Sequence, residues 1–132
     1  MKALTVKMTR CLPIGAVLNC VDNSGAKKIK IISVKGYKGI RRTIPSAGIG
    51  SLVKVKVLKG TEKVRHEVHN AVIIRQTKEY IRPSGIRVSF SDNAAILVDD
   101  KKEPRGSIVK GPVAKEVIER YPTVGKISST VV

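Results

Sequence analysis

Few side chains in this sequence are spaced for chemistry, and the first group is "RHEVH", which sets His66, Glu67 and His69 together. A zinc protease uses His-Glu-x-x-His, which puts both imidazoles on one helical face with the glutamate as general base. Here the second histidine comes one residue early, and the context "KVRHEVHNAVII" reads as strand, so no metal is expected. Asp99 and Asp100 are adjacent. On a strand they would face opposite sides and on a turn both would be solvated, and neither arrangement suits a two-carboxylate mechanism. Ser24, in "DNSG", has no histidine near it in sequence and reads as a turn residue. Cys11 and Cys20 lack a Cys-x-x-Cys partner and are expected to be free, buried or half-buried thiols in a reducing compartment. The sequence therefore offers no catalytic residue, metal site or cofactor, and no small-molecule substrate is expected.

What remains is positive charge. The 132 residues carry 26 Lys+Arg against 10 Asp+Glu, a formal charge of +16, with an isoelectric point near 10.3. That exceeds the net charge of about 2–8 that suffices for solubility, and it is the range of nucleic-acid-binding domains. The excess is uneven: residues 1–61 hold thirteen Lys/Arg and one acid, Asp22 (+12), whereas residues 62–132 hold thirteen Lys/Arg and nine acids (+4). The segment "KGYKGIRRTIPSAGIGS", Lys35 to Ser51, concentrates it, with Lys35, Lys38, Arg41 and Arg42 among glycines and no acid. A glycine-flexed ribbon lets cationic groups approach phosphates closely, and the Gly-x4-Gly-Lys-Ser/Thr spacing of a P-loop is missing. Phe90 is the single phenylalanine, tryptophan is absent, and Tyr37, Tyr80 and Tyr121 are scattered. Without an aromatic platform for stacked bases, the expected contacts are to phosphate and sugar of a folded RNA.

The elements that must position these charges are short strands. In "AKKIKIISV" Ile29 and Ile31 share one face, and Lys28 and Lys30 the other; in "LVKVKVLK" Val53, Val55 and Val57 oppose Lys54 and Lys56. Both patterns bury the aliphatics and present lysine to solvent. "GAVLNCV", "HNAVIIRQ", "IRVSF" and "AAILV" bring the set to about six, separated by "DNSG", "KGTEK", "RPSG" and "SDN", all turn chemistry. A small closed or nearly closed antiparallel β-barrel is the economical architecture, since closure removes exposed edges. In "DNSG", Asp22, Asn23, Ser24 and Gly25 are expected to build a turn between two barrel strands. "GPVAKEVIERY", Gly111 to Tyr121, reads as a short helix with Pro112 at its first position and Pro122 as its stop. Val113, Val117 and Ile118 would seat on the barrel, leaving Lys115, Glu116, Glu119 and Arg120 outward as a mixed-charge face suited to a protein or intersubunit contact. One domain spanning 1–132 is expected: barrel about 10–100, basic ribbon 35–51, and helical region about 104–132. No apolar run approaches the roughly 20 residues of a membrane span, and no signal-peptide core precedes the first strand, so a cytoplasmic location is expected.

"GAVLNCVDNSGAKKIKIISVKG", "AVIIRQTKEYIRPSGIRVSFSDNAAILVDD" and "EPRGSIVKGPVAKE" closely resemble the universal large-subunit ribosomal protein fourteen family, in the same order, from about residue 10 to 126. The wording is similar to the archaeal and eukaryotic branch, and the tail "GKISSTVV" departs from the bacterial ending. The resemblance implies a five-stranded barrel with a protruding basic ribbon and a small C-terminal helical region. It further implies binding to large-subunit rRNA and a bridge to small-subunit rRNA. Contacts with large-subunit protein three and e-type protein twenty-four, and docking of the anti-association initiation factor six, are implied in the same way. Arg10, Lys27, Lys28, Lys30, Lys35, Lys38, Arg41, Arg42, Lys54, Lys56 and Lys59 are the expected rRNA-binding residues. The competing expectation is a free nucleic-acid chaperone or translation factor built on an oligonucleotide-binding barrel, which would favour Tyr and Phe where this sequence has Lys.

Overall fold

The computed structural model describes residues 2–132 and is mainly β. In chain order the strands are β1 (Leu12–Pro13), β2 (Val17–Cys20), β3 (Ala26–Val34), β4 (Ser46–Ala47), β5 (Leu52–Gly60), β6 (Val68–Arg75), β7 (Tyr80–Ile81), β8 (Arg87–Val88), β9 (Ala94–Val98) and β10 (Val109–Val113). Two short helices, α1 (Lys115–Arg120) and α2 (Pro122–Ile127), and a last strand, β11 (Ser128–Val131), complete the chain. Strands β2, β3, β5, β6 and β9 close into a barrel in that order. Four of its five pairings are antiparallel; the closing one, β2 with β9, is parallel and holds two register pairs, Asn19↔Ala94 and Cys20↔Ala95. The expected strand over Ile86–Phe90 shrinks to β8, which pairs with β7 outside the barrel.

Two apolar clusters explain why some strands alternate and others do not. Leu18, Ile29, Ile31, Val53, Val55, Val57, Ala71, Ile73, Ala95 and Leu97 fill the barrel. The other faces of β6 and β9, with Val72, Ile74, Ile96 and Val98, pack against Val113, Val117, Tyr121 and Val124 from the C-terminal elements. Because β6 and β9 are covered on both sides, "AVII" and "AAILV" are continuous apolar runs, whereas β3 and β5 keep a solvent face and alternate.

The C-terminal region departs from expectation. Residues expected at the start of a helix, Gly111 and Pro112, belong to β10, which pairs in parallel with β11, and Pro122 opens α2 where it was expected only to end a helix. Proline suits the start of α2, since the first helical turn needs no N–H from it. Gly111 takes φ +81°, and a Cβ there would stand within 2.5 Å of Arg75 Nη1. Arg75 needs that approach: it is buried, donates from Nη1 to the carbonyls of Lys110 and Pro112 at 3.0 Å each, and grips Asp92 through Nε and Nη2 at 3.0 and 3.2 Å. One barrel arginine thus fixes the backbone on both sides of Gly111.

Candidate nucleic-acid interface

The β3–β5 register assembles the charged face. Lys30 stands opposite Lys56, Lys28 opposite Lys59, and Ser33 opposite Lys54, with all five lysines exposed. Like charges directly opposite on a sheet are unfavourable by about 0.2–1 kcal/mol per pair. Burying Ile29, Ile31, Val55 and Val57 behind them, each worth about 1.5–3 kcal/mol, overrides that repulsion. Lys28 Nζ donates to Asn19 Oδ1 at 2.7 Å. Among the described residues, ion pairs use Arg75, Arg82, Arg87, Arg105 and His69, and none uses a lysine. The face is therefore a field of uncompensated ammonium groups, and Lys27 lies exposed at the start of the same strand.

The basic ribbon is shorter than its expected 35–51 span. Residues 35–45 form an exposed loop, but Ser46–Ala47 pairs with Leu12–Pro13, and Ala47, Gly48, Ile49 and Gly50 are buried. The apolar content of "AGI" draws it into the core. The loop is tied at its feet by Lys35 N donating to Leu52 O at 3.0 Å and Ile14 N to Pro45 O at 3.2 Å. Between these ties Lys38, Arg41 and Arg42 are exposed, Arg42 with φ +69°, beside Ile40 and Ile44, 84% and 70% exposed. Arg10 and Lys35 meet at the foot of this loop, around a hollow of about 260 Å³ shared with Arg120.

The Asp22–Gly25 turn does more than join β2 to β3. Asp22 is buried; its Oδ1 accepts from Ser24 N at 3.2 Å, from the Ser24 hydroxyl, and from the Cys20 thiol at 3.1 Å. Its Oδ2 accepts from Leu97 N at 2.9 Å on β9. The turn carboxylate is thereby bonded across the parallel closure. Asn23 turns away to residue 107, accepting from Ser107 N at 2.8 Å and donating to Ser107 Oγ at 2.8 Å. Gly25 has φ +100° and lies so close to Thr61 that a Cβ would meet its hydroxyl at 2.8 Å.

The outward mixed-charge face expected on the helix is corrected by the structure. Lys115 and Glu119 are exposed, but Glu116 is fully buried. It accepts from Arg82 Nε at 2.8 Å and from the Tyr80 hydroxyl at 2.9 Å, and Arg82 also donates to the main-chain oxygen of Val132 at 2.7 Å. Burial works against the Arg82 charge, but its hydrogen bonds to Glu116 and Tyr80 outweigh that and raise its pKa. Arg120 is turned toward the 48–50 segment, where Nη1 donates to Gly50 O at 3.2 Å. Arg75, Arg82 and Tyr80 were not singled out by sequence, because their partners lie far along the chain.

The groups considered for chemistry are engaged elsewhere. His66 sits in a turn at φ +65°, and His69 bonds Glu67 at 2.9 Å and Arg105 at 2.7 Å. Asp99 pairs with Arg105 at 3.6 Å, and Asp100 accepts from Asn70 Nδ2 at 2.9 Å. Both cysteines are free and partly buried. No helix among the described residues is long and apolar enough to cross a membrane.

Comparison with known proteins gives a consistent result. The family described as "Ribosomal protein L14p/L23e" matches residues 11–132. The chain is 48% identical over 132 residues to the "Large ribosomal subunit protein uL14" of Methanospirillum hungatei and 50% identical over 132 residues to that of Methanoregula boonei, covering 100% of both chains in each case. It is 50% identical to the same-named protein of Halorubrum lacusprofundi, over 98% of this chain and 96% of the relative.

Proposed function

Because this chain belongs to the family of ribosomal protein L14p/L23e, we propose that it holds large-subunit rRNA along the lysine face of β3 and β5 and the basic loop that continues from it. Like its relatives, named as large ribosomal subunit proteins, it is a structural component of the large subunit and not an enzyme. The observation that carries the RNA reading is the Lys30↔Lys56 and Lys28↔Lys59 register, a self-repelling arrangement that a polyanion relieves. Arg10, Lys27, Lys28, Lys30, Lys35, Lys38, Arg41, Arg42, Lys54, Lys56 and Lys59 would contact phosphate and sugar, since no aromatic platform accompanies them.

The finer partners belong to the same proposal and rest on the family resemblance. They are a bridge to small-subunit rRNA, contacts with large-subunit protein three and e-type protein twenty-four, and docking of the anti-association initiation factor six. For a docking face on α1 the structure leaves Lys115 exposed, and Glu119 exposed but accepting from the Thr5 hydroxyl at 3.3 Å, with Glu116 committed to Arg82.

The test combines Lys38→Ala, Arg41→Ala and Arg42→Ala in one protein and titrates a large-subunit rRNA fragment across salt. These exposed changes should alter stability by less than about 0.5 kcal/mol each. Affinity should fall, with the log–log salt slope reduced by roughly 0.7–0.9 for each phosphate that is no longer neutralised. A drop in thermal stability with unchanged binding per folded molecule would mark the loop as structural.

A further inference from the structure

The two most exposed large aliphatic side chains among the described residues, Ile40 and Ile44, both stand on the basic loop. A third exposed isoleucine, Ile14, lies at the loop's foot, where its N–H donates to Pro45 O at 3.2 Å. Single exposed aliphatics are ordinary, but several gathered on one feature mark a contact surface. The shape of the loop is held from within. Thr43 N donates to Ile40 O at 3.2 Å and closes a turn over Arg41 and Arg42, with Arg42 at φ +69° as its third residue. Tyr37 is half-buried, and its ring lies so close to Gly39 that a Cβ there would collide with Cε1. The loop's one aromatic ring is thus folded onto its own backbone, and the apolar surface that projects is aliphatic.

We propose that Ile40 and Ile44 pack against an unstacked base of the rRNA, at a bulge, loop or junction, while the cations between and beside them hold the flanking phosphates. The proposal deepens the rRNA reading above and rests on it. Charge selects the occupant: residues 35–51 hold four cations and no acid, so a partner that covers these isoleucines has to bring negative charge along with an apolar face. Folded RNA supplies both. Within a paired helix the base faces are hidden in the stack and the surface offers phosphate and 2′-hydroxyl, against which isoleucine gains little; base faces open only where stacking is broken. Isoleucine is among the side chains that proteins insert between base steps of DNA. Ile40 and Ile44 thereby supply the base contact for which the chain has no aromatic platform, and they add a contribution to binding that salt does not screen.

The experiment titrates deproteinised large-subunit rRNA, and separately a fully paired RNA duplex, with full-length wild type, Ile40→Ser, Ile44→Ser, the double variant and Ile40→Leu. All should melt at the wild-type temperature, since the replaced side chains are exposed. Ile40→Ser and Ile44→Ser should each weaken rRNA binding about tenfold, for the apolar area no longer covered, and the double variant more. The slope of log affinity against log salt should stay at the wild-type value, because no cation is removed. Ile40→Leu should bind like wild type, and on the duplex the double variant and wild type should bind alike. If the double variant, still folded, holds rRNA with wild-type affinity, the base contact is wrong while the lysine-face reading stands; loss of that variant from salt-washed large subunits would then assign the isoleucines to a protein. If the double variant weakens equally on the duplex, the contact is not to an unstacked base. If wild type itself shows no salt-dependent binding to rRNA, the rRNA reading falls and this proposal with it.

Discussion

Several side chains hold protons beyond their usual range, Cys20 and Tyr80 most strongly. Burial, with the Asp22 carboxylate beside it, pushes the Cys20 thiol from 9.0 up to about 12. Burial and the hydrogen bond to Glu116 push the Tyr80 hydroxyl from 10.0 up to about 12. In each case the folded protein keeps a proton that the unfolded chain releases earlier. Their contributions to stability are thus complete below about pH 9 and are lost as pH rises toward about 12. Urea-unfolding midpoints should hold level up to about pH 9 and then decline; because burial also raises the Cys11 thiol from 9.0, Cys20→Ala should make the decline shallower without moving its onset. A slope unchanged by that substitution would show that Cys20 contributes nothing to the decline. At this scale the sequence was informative about the Asp22–Gly25 turn, because Asx-turn chemistry is local, but silent on Leu97 N as a partner of Asp22. Glu116 was misplaced for the same reason. Helical periodicity put it outward, and the arginine that draws it inward enters from residue 82.

Strands and helices show a similar division. Period-two alternation located β3 and β5 with their lysines outward, since one face of each meets solvent. It could not tell that "AVII" and "AAILV" are covered on both sides, and it mistook the stretch from Gly111 to Ala114 for a helix start, because Gly-Pro before an apolar run suits a helix entry as well as a strand with a left-handed glycine. Gly111→Ala discriminates these environments. A side chain at φ +81° that also crowds Arg75 should destabilise by about 1–3 kcal/mol, lowering the thermal midpoint, whereas Gly36→Ala, at φ +78° in open space, should cost less. Equal destabilisation in calorimetry would mean that the approach to Arg75 contributes nothing.

Over the whole molecule the charge asymmetry read from composition has a spatial counterpart: the lysine face of β3 and β5 lies on a different sector of the barrel from the helices on β6 and β9. Salt should therefore act with opposite signs on the free protein and on its complex. Screening of Lys30 against Lys56 and Lys28 against Lys59 raises the unfolding midpoint between about 50 and 500 mM salt, roughly the range over which the Debye length shrinks below 10 Å, while RNA affinity falls. A midpoint that drops with added chloride would contradict the uncompensated face. The fold legible in sequence was the closed barrel; the parallel direction of its closing pair was not, because a two-pair seam leaves no periodic mark. That seam has a kinetic consequence. During synthesis β2, β3, β5 and β6 can pair in turn as each emerges, but β2 keeps a bare edge until β9 arrives and the loop between them closes. Non-local closure of this kind slows folding, and it makes the interval before β9 emerges the time when this chain is most open to pairing with the wrong strand.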